Sequence, residues 1–128
     1  MKFFVTGRSS DYPRVEQAFK DIKDRGHEIA FEWTTLPMVK PYAENQEKAA
    51  EYAEKTLQGL LEADVYIIFL HKDGNGVFTE LGVALASHSI KGIPRIFAIG
   101  DERGACMFNY HSVISWKKSV KEILDECK

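Results

Sequence analysis

The sequence predicts an α/β protein: a single-domain, flavodoxin/Rossmann-like parallel five-stranded sheet with helices on both faces. Three observations predict it. Short apolar runs alternate along the chain with stretches of helical periodicity, the pattern of a parallel sheet joined by crossover helices. The most apolar run, "DVYIIFLH" (64–71), falls mid-chain and suits a central strand buried on both faces. Two glycine-containing loops, "TGRSSD" (6–11) and "HKDGNG" (71–76), each follow a strand and feed a helix. The 128 residues suit one domain, 1–128, with one real core.

Each element has a local reason. "KFFVTG" (2–7) reads as a short buried strand. "YPRVEQAFKDIKDRG" (12–26) reads as a helix: Pro13 suits its first turn, Val15, Phe19 and Ile22 share a face, and Gly26 stops it. "HEIAFEW" (27–33) is the second strand, and "TTLPMVKP" (34–41) is a loop punctuated by two prolines. Residues 42–63 are rich in strong helix formers. After the central strand, residues 77–90 form a small-residue helix with Glu80 in its first turn. "IPRIFAIG" (93–100) is the fourth strand and "DERGACMFNY" (101–110) a loop. "HSVIS" (111–115) is the last strand, and "WKKSVKEILDECK" (116–128) a closing amphipathic helix. There is no internal repeat and no interdomain linker.

Composition narrows the function classes. A hydrophobic fraction of 45% and a charged fraction of 28% are ordinary for a globular domain. A net charge of -2 gives no electrostatic reason to expect a nucleic acid polymer or an anionic membrane as partner. No run is apolar enough to span a bilayer, and the start of the chain does not read as a signal peptide. The cysteines, Cys106 and Cys127, and the histidines have no metal-ligand spacing, so neither metal nor cofactor is expected. Two cysteines without a disulfide framework read as a reduced, cytoplasmic chain.

In the strand order 2-1-3-4-5, ligands bind where the order reverses, between strands one and three, at their carboxyl ends. The two glycine loops meet at that crevice, and helix N-termini there offer free N–H groups to anions. Glu80 is thus placed beside an anion-friendly pocket. Its competing reading is a carboxylate that merely complements the helix dipole.

At this point the residues resemble a family. "GVFTELGVALA" (76–86), after a strand beginning "ADV" (63–65), is similar to the nucleoside 2-deoxyribosyltransferase family and its relatives, the 2'-deoxynucleoside 5'-phosphate N-hydrolases. "FFVTGRSS" (3–10) and "KGIPRIFAIG" (91–100) extend the resemblance. It implies chemistry at a sugar's anomeric carbon. A glutamate attacks C1', the base leaves, and water or a second base resolves the glycosyl-enzyme ester. The matching nucleophile is Glu80. In this reading Gly74 and Gly76 open the backbone to a ligand, and Asn75 tolerates a left-handed conformation. Gly82, Ala84 and Ala86 let the helix pack closely, and the dipole keeps Glu80 ionised.

The sequence departs from the family at its second carboxylate, whose position is occupied by Thr56. Asp73, on the loop bordering the site, is the replacement candidate, with Glu51, Tyr52 and Glu54 as others. Gly7, Arg8, Ser9 and Ser10 suit a 5'-phosphate, and Asn75 and Gly76 complete that site; alternatively, Ser9, Ser10 or Asp11 only caps a helix. The resemblance also implies a homodimer or higher homo-oligomer in which Asn109 or Tyr110 reaches a neighbouring subunit's site. Phe31 and Trp33 are candidates for an apolar wall, and His71 and His88 for stacking or proton transfer.

Four functions compete. The first is an enzyme of the N-glycosidic bond acting on a nucleoside or nucleotide. The second is a nucleotide-binding module that kept the pocket and lost catalysis, favoured by Thr56. The third is a lysine-decarboxylase-like nucleotide phosphoribohydrolase, whose Pro-Gly-Gly turn is absent. The fourth is a structural interaction domain. The intact Glu80 motif favours the first.

Overall fold

The computed structural model describes all 128 residues and has a five-stranded, all-parallel sheet in the order β2-β1-β3-β4-β5. The strands are β1 (Lys2–Thr6), β2 (Glu28–Ile29), β3 (Val65–Phe69), β4 (Arg95–Ile99) and β5 (Ile114–Lys117). The helices are α1 (Tyr12–Asp24), α2 (Gln46–Glu62), α3 (Gly76–Lys91) and α4 (Val120–Glu126). The order is the one the sequence predicts, with β3 central between β1 and β4. None of the helices is long and apolar enough to cross a membrane.

Strand alternation divides the core in two. Phe3, Val5, Val65, Ile67 and Phe97 face α1 and α4, where Val15, Phe19, Ile22, Ile123 and Leu124 meet them. Phe4, Tyr66, Ile68, Ile96 and Ala98 face the other way, against Leu60 of α2 and Val77, Leu81 and Ala84 of α3. Each fully buried large side chain contributes about 1.5–3 kcal/mol relative to exposure. Burial on both faces explains why the β3 run lacks the polar alternation of a half-solvated strand. Gly26, at φ 85°, and Gly92, at φ 79°, take the left-handed conformation just past the ends of α1 and α3.

Four boundaries differ from the sequence expectation by three or more residues. The strand expected over 27–33 is only two residues long. Ala30 still donates its N–H to the Phe3 carbonyl. The next acceptor along that edge, the Val5 carbonyl, instead receives the Trp33 indole N–H at 2.7 Å. A side chain takes over the ladder, and the backbone turns into a short 3₁₀ turn over Trp33–Thr35. The helix expected from 42 begins with a separate 3₁₀ turn, Tyr42–Glu44, before α2 proper. The last strand lies at 114–117 rather than 111–115, because Ile96 pairs with Ile114 and Ile99 with Lys117. α4 therefore starts at Val120 rather than 116. Ser119 Oγ caps the start by accepting the Glu122 N–H at 3.2 Å, and the Glu122 side chain accepts the Lys118 N–H, one residue before the cap, at 2.9 Å.

Candidate active site

A cavity of about 630 Å³ opens at the carboxyl ends of β1 and β3. This is the switch point, because the connections from β1 and β3 leave on opposite faces of the sheet. The volume lies in the range of small-molecule sites.

Glu80 lies part-buried in the cavity wall. α3 begins at Gly76, so Glu80 is its fifth residue and lies in the second turn, not the first. It shares the sheet-facing side of the helix with Val77, Leu81 and Ala84, at helical spacing. That placement brings it over β1, where the Thr6 hydroxyl donates to Glu80 Oε1 at 3.2 Å. The expectation that the helix dipole keeps the carboxylate ionised is corrected here: burial dominates and pushes Glu80 from 4.5 up to about 7, against the smaller lowering effect of Thr6.

The two glycine loops meet as the topology requires. Gly7, Arg8 and Ser9 come from the β1–α1 loop, and Asp73, Gly74, Asn75 and Gly76 from the β3–α3 loop. Gly74 is favoured by close approach: a Cβ there would collide with Val77 Cγ2. At Gly76 a Cβ would meet open space, so packing within the chain does not demand glycine. Asn75 has φ -95° and ψ -67°, so the turn does not use the left-handed conformation that asparagine tolerates. Of the small residues on α3, Ala84 packs in the core, Gly82 has free space around it, and Ala86 faces solvent.

Asp11 is the residue that joins the loops, and it does more than end a helix. It is 2% exposed. Its Oδ2 accepts the Arg8 backbone N–H at 2.9 Å and lies 2.7 Å from His71 Nε2. Asp11 therefore ties the segment before α1 to His71, in the loop that follows β3, with its charge directed away from the cavity. His71 is engaged by this contact, and His88 Nδ1 lies 2.9 Å from the Pro94 carbonyl.

The opposite wall is apolar. Phe31 and Trp33 line it as expected, and Trp33 stands edge-on to Tyr12 with ring centroids 5.1 Å apart. Leu36, Pro37, Met38 and Val39 continue this wall, followed by Lys40 and Tyr42. The sequence reading missed this strap, although "LPMV" is unusually apolar for a connecting loop.

Other candidates fall elsewhere. Thr56 and Tyr52 of α2 line the cavity, whereas Glu51 pairs with Lys48 and Lys55 and Glu54 accepts from Gln58. Ser10 is exposed and outside the cavity wall. Asn109 is fully buried, and its Nδ2 donates to the Arg103 carbonyl at 2.5 Å. Its Nδ2 is thus engaged within its own loop, its Oδ1 is buried without a partner, and within this chain the side chain is fully covered. Tyr110 is half-exposed, with its hydroxyl donating to the Gly104 carbonyl at 2.9 Å. No group of three or more His, Cys, Asp or Glu side chains converges as a metal site.

The site thus combines one buried carboxyl, an end rich in backbone N–H groups and bearing Arg8, an aromatic and aliphatic wall, and a second carboxylate, Asp73, at the rim. Comparison with protein-family models and with curated proteins gives no match to this chain.

Proposed function

We propose that the protein cleaves, or transfers across, the N-glycosidic bond of a nucleoside or nucleoside 5'-monophosphate. The observation that carries this reading is Glu80: a part-buried carboxyl in the wall of a small-molecule cavity, held by a single hydroxyl donor. A carboxylate stripped of solvent is a good nucleophile toward an electron-poor sugar carbon and is poised to change protonation near neutral pH.

In this mechanism a Glu80 carboxylate oxygen bonds to C1', and the C1'–N bond breaks with its electron pair passing to the base. The base leaves with a proton from the rim, for which Asp73 is the candidate donor. Water then adds to C1' as one of its protons passes to the Asp73 carboxylate, and the C1'–O bond to Glu80 breaks with its electron pair returning to the carboxylate, which releases the sugar. A second base in place of water gives transfer. The apolar wall suits the base, and Arg8 with the 74–76 backbone suits a 5'-phosphate.

The second reading, a binding module without turnover, is favoured by one observation. Thr56, at the position of the related enzymes' second carboxylate, lines the cavity and supplies no acid. One experiment separates the two. The protein is incubated with a panel of nucleosides and 5'-monophosphates, and free base is measured for the native chain and Glu80→Gln. Base release that Glu80→Gln abolishes supports the enzyme. Binding without release by either supports the module.

A further inference from the structure

Asp73 sits at the cavity rim on a segment that has little of its own to hold it. Leu70 still donates its N–H to the Ile99 carbonyl at 2.8 Å, and the Asn75 carbonyl accepts the Thr79 N–H at 3.1 Å. Between these points the backbone of residues 71–74 makes no hydrogen bond within the chain. Two contacts from outside hold the segment instead. On one side the His71 ring meets Asp11 at 2.7 Å. On the other side lies the loop that follows β4. Its Gly104 packs so closely on Lys72 that a Cβ would stand 2.6 Å from the Lys72 carbonyl oxygen, and Gly100 abuts the Leu70 carbonyl in the same way.

The turn at Gly104 is itself firmly built. Gly104 has φ 76°, in the left-handed region that favours glycine. Its carbonyl accepts the Tyr110 O–H at 2.9 Å, and the preceding carbonyl, of Arg103, accepts Asn109 Nδ2 at 2.5 Å. Both donors come from one short 3₁₀ turn, Met107–Tyr110. The Arg103 guanidinium carbon lies 5.6 Å from the Tyr110 ring centroid and 4.7 Å from that of Trp116, which ties the turn to β5 as well. An apolar residue at 109 would avoid the unpaired Oδ1 but would leave the Arg103 carbonyl without its donor.

We propose that this turn is a prop for Asp73: Asn109 and Tyr110 fix the backbone at 103–104, Gly104 fixes Lys72, and Lys72 sets the adjoining Asp73. Gly104, Asn109 and Tyr110 are then positioning residues that act through the chain without touching a ligand. The demand for such a prop is geometric, because a misplacement of about 1 Å at a reacting group can cost about 10²-fold in rate. The importance of the prop for turnover rests on the proposed role of Asp73; its existence does not.

The test is nitrogen-15 relaxation of the backbone amides in ligand-free protein. In the native chain the amides of Asp73 and Gly74 should have order parameters near the rigid value of about 0.85. Gly104→Ala, whose Cβ drives the turn off the Lys72 carbonyl, should lower both below about 0.6. Tyr110→Phe removes only the hydroxyl of a half-exposed ring and should lower them by a smaller amount. Phe108→Leu, at a neighbouring exposed ring with no bond to the turn, should leave them unchanged. The amides of α1 and α4 should stay rigid in every variant, which separates the prop from a general loosening. Unchanged order parameters at Asp73 and Gly74 in Gly104→Ala, or in Tyr110→Phe where the first variant does not fold, overturn the prop. A native segment already in the flexible range overturns it too, as does a fall spread equally over α1 and α4. Where base release is observed, Gly104→Ala should lower kcat by about tenfold or more with KM little changed, and should add no further loss to Asp73→Asn. A loss that persists in full in the Asp73→Asn background also overturns the proposal. A chain that releases no base from any nucleoside defeats the proposed reaction, and the relaxation measurement still decides the prop.

Discussion

Glu80 should make folding stability depend on pH in a way that its amide variant does not. Burial raises its folded-state value from 4.5 to about 7. Between those two values the folded protein holds a proton that the unfolded chain has already released. Raising the pH through that window therefore favours unfolding. Below 4.5 the carboxyl is protonated in both states and has no effect; above about 7 the loss is complete. At about 1.4 kcal/mol per pH unit, the ionised carboxylate costs the folded state about 3 kcal/mol, and water entering the open cavity reduces this toward about 2 kcal/mol. Glu80→Gln keeps the size and the acceptor for Thr6 but cannot ionise. Its stability relative to the native chain should be near zero at about pH 4.5 and favour the variant by about 2–3 kcal/mol at about pH 8. Urea unfolding of both proteins across this range measures the difference directly. A difference that stays flat with pH would refute the reasoning, because it would mean that Glu80 is equally at ease as an ion in both states.

The remaining predictions concern ligands and turnover. If Glu80 reacts as the carboxylate, kcat/KM for base release should rise with pH and level off above about 7, following the free enzyme's ionisation; a rate that falls through this range would assign it a proton-donating role. Arg8→Ala should weaken binding of a 5'-monophosphate far more than binding of the matching nucleoside, and added salt should shrink the difference, which paired calorimetric titrations would read. Asp73→Asn should slow release of a base that needs protonation by about 10²–10⁴-fold. Thr56→Asp, which places a carboxyl on the cavity wall, should recover part of that loss, as steady-state rates of the single and double variants would show.

The fold was legible because its signals are local and redundant. The apolar 64–71 run can be satisfied only by burial on both faces, and that alone puts β3 at the centre. Gly26 stops α1 because it takes a backbone conformation that other residues avoid. The errors came where a tertiary contact overrode the local pattern. "HEIAFEW" alternates like a strand, but the indole of Trp33 replaces the backbone donor at Val5 and the chain leaves the sheet. At the other end, the Ser119–Glu122 cap was present in the letters as S-x-x-E, and it outweighed the amphipathic pattern that suggested a start at 116.

The site was legible to a different depth. Its position follows from strand order, and strand order follows from the pattern, so Arg8, Asn75 and Glu80 could be brought to one crevice before any coordinates. The state of Glu80 could not. Its place in the motif suggested a helix end and hence ionisation, yet its sheet-facing position on α3 removes solvent from it, and solvent loss is the larger effect. Its one hydrogen-bond partner, Thr6, is far from Glu80 in sequence and reads as an ordinary strand residue. Asp11 shows the same limit from the opposite direction. Beside an anion-friendly loop it reads as a charge that would repel a phosphate. In the fold it accepts the Arg8 N–H and meets His71, so its charge is consumed in tying together the two loops that build the pocket. An acidic residue near Arg8 is therefore compatible with an anionic ligand, because the Asp11 carboxylate is directed into the protein while Arg8 lines the cavity.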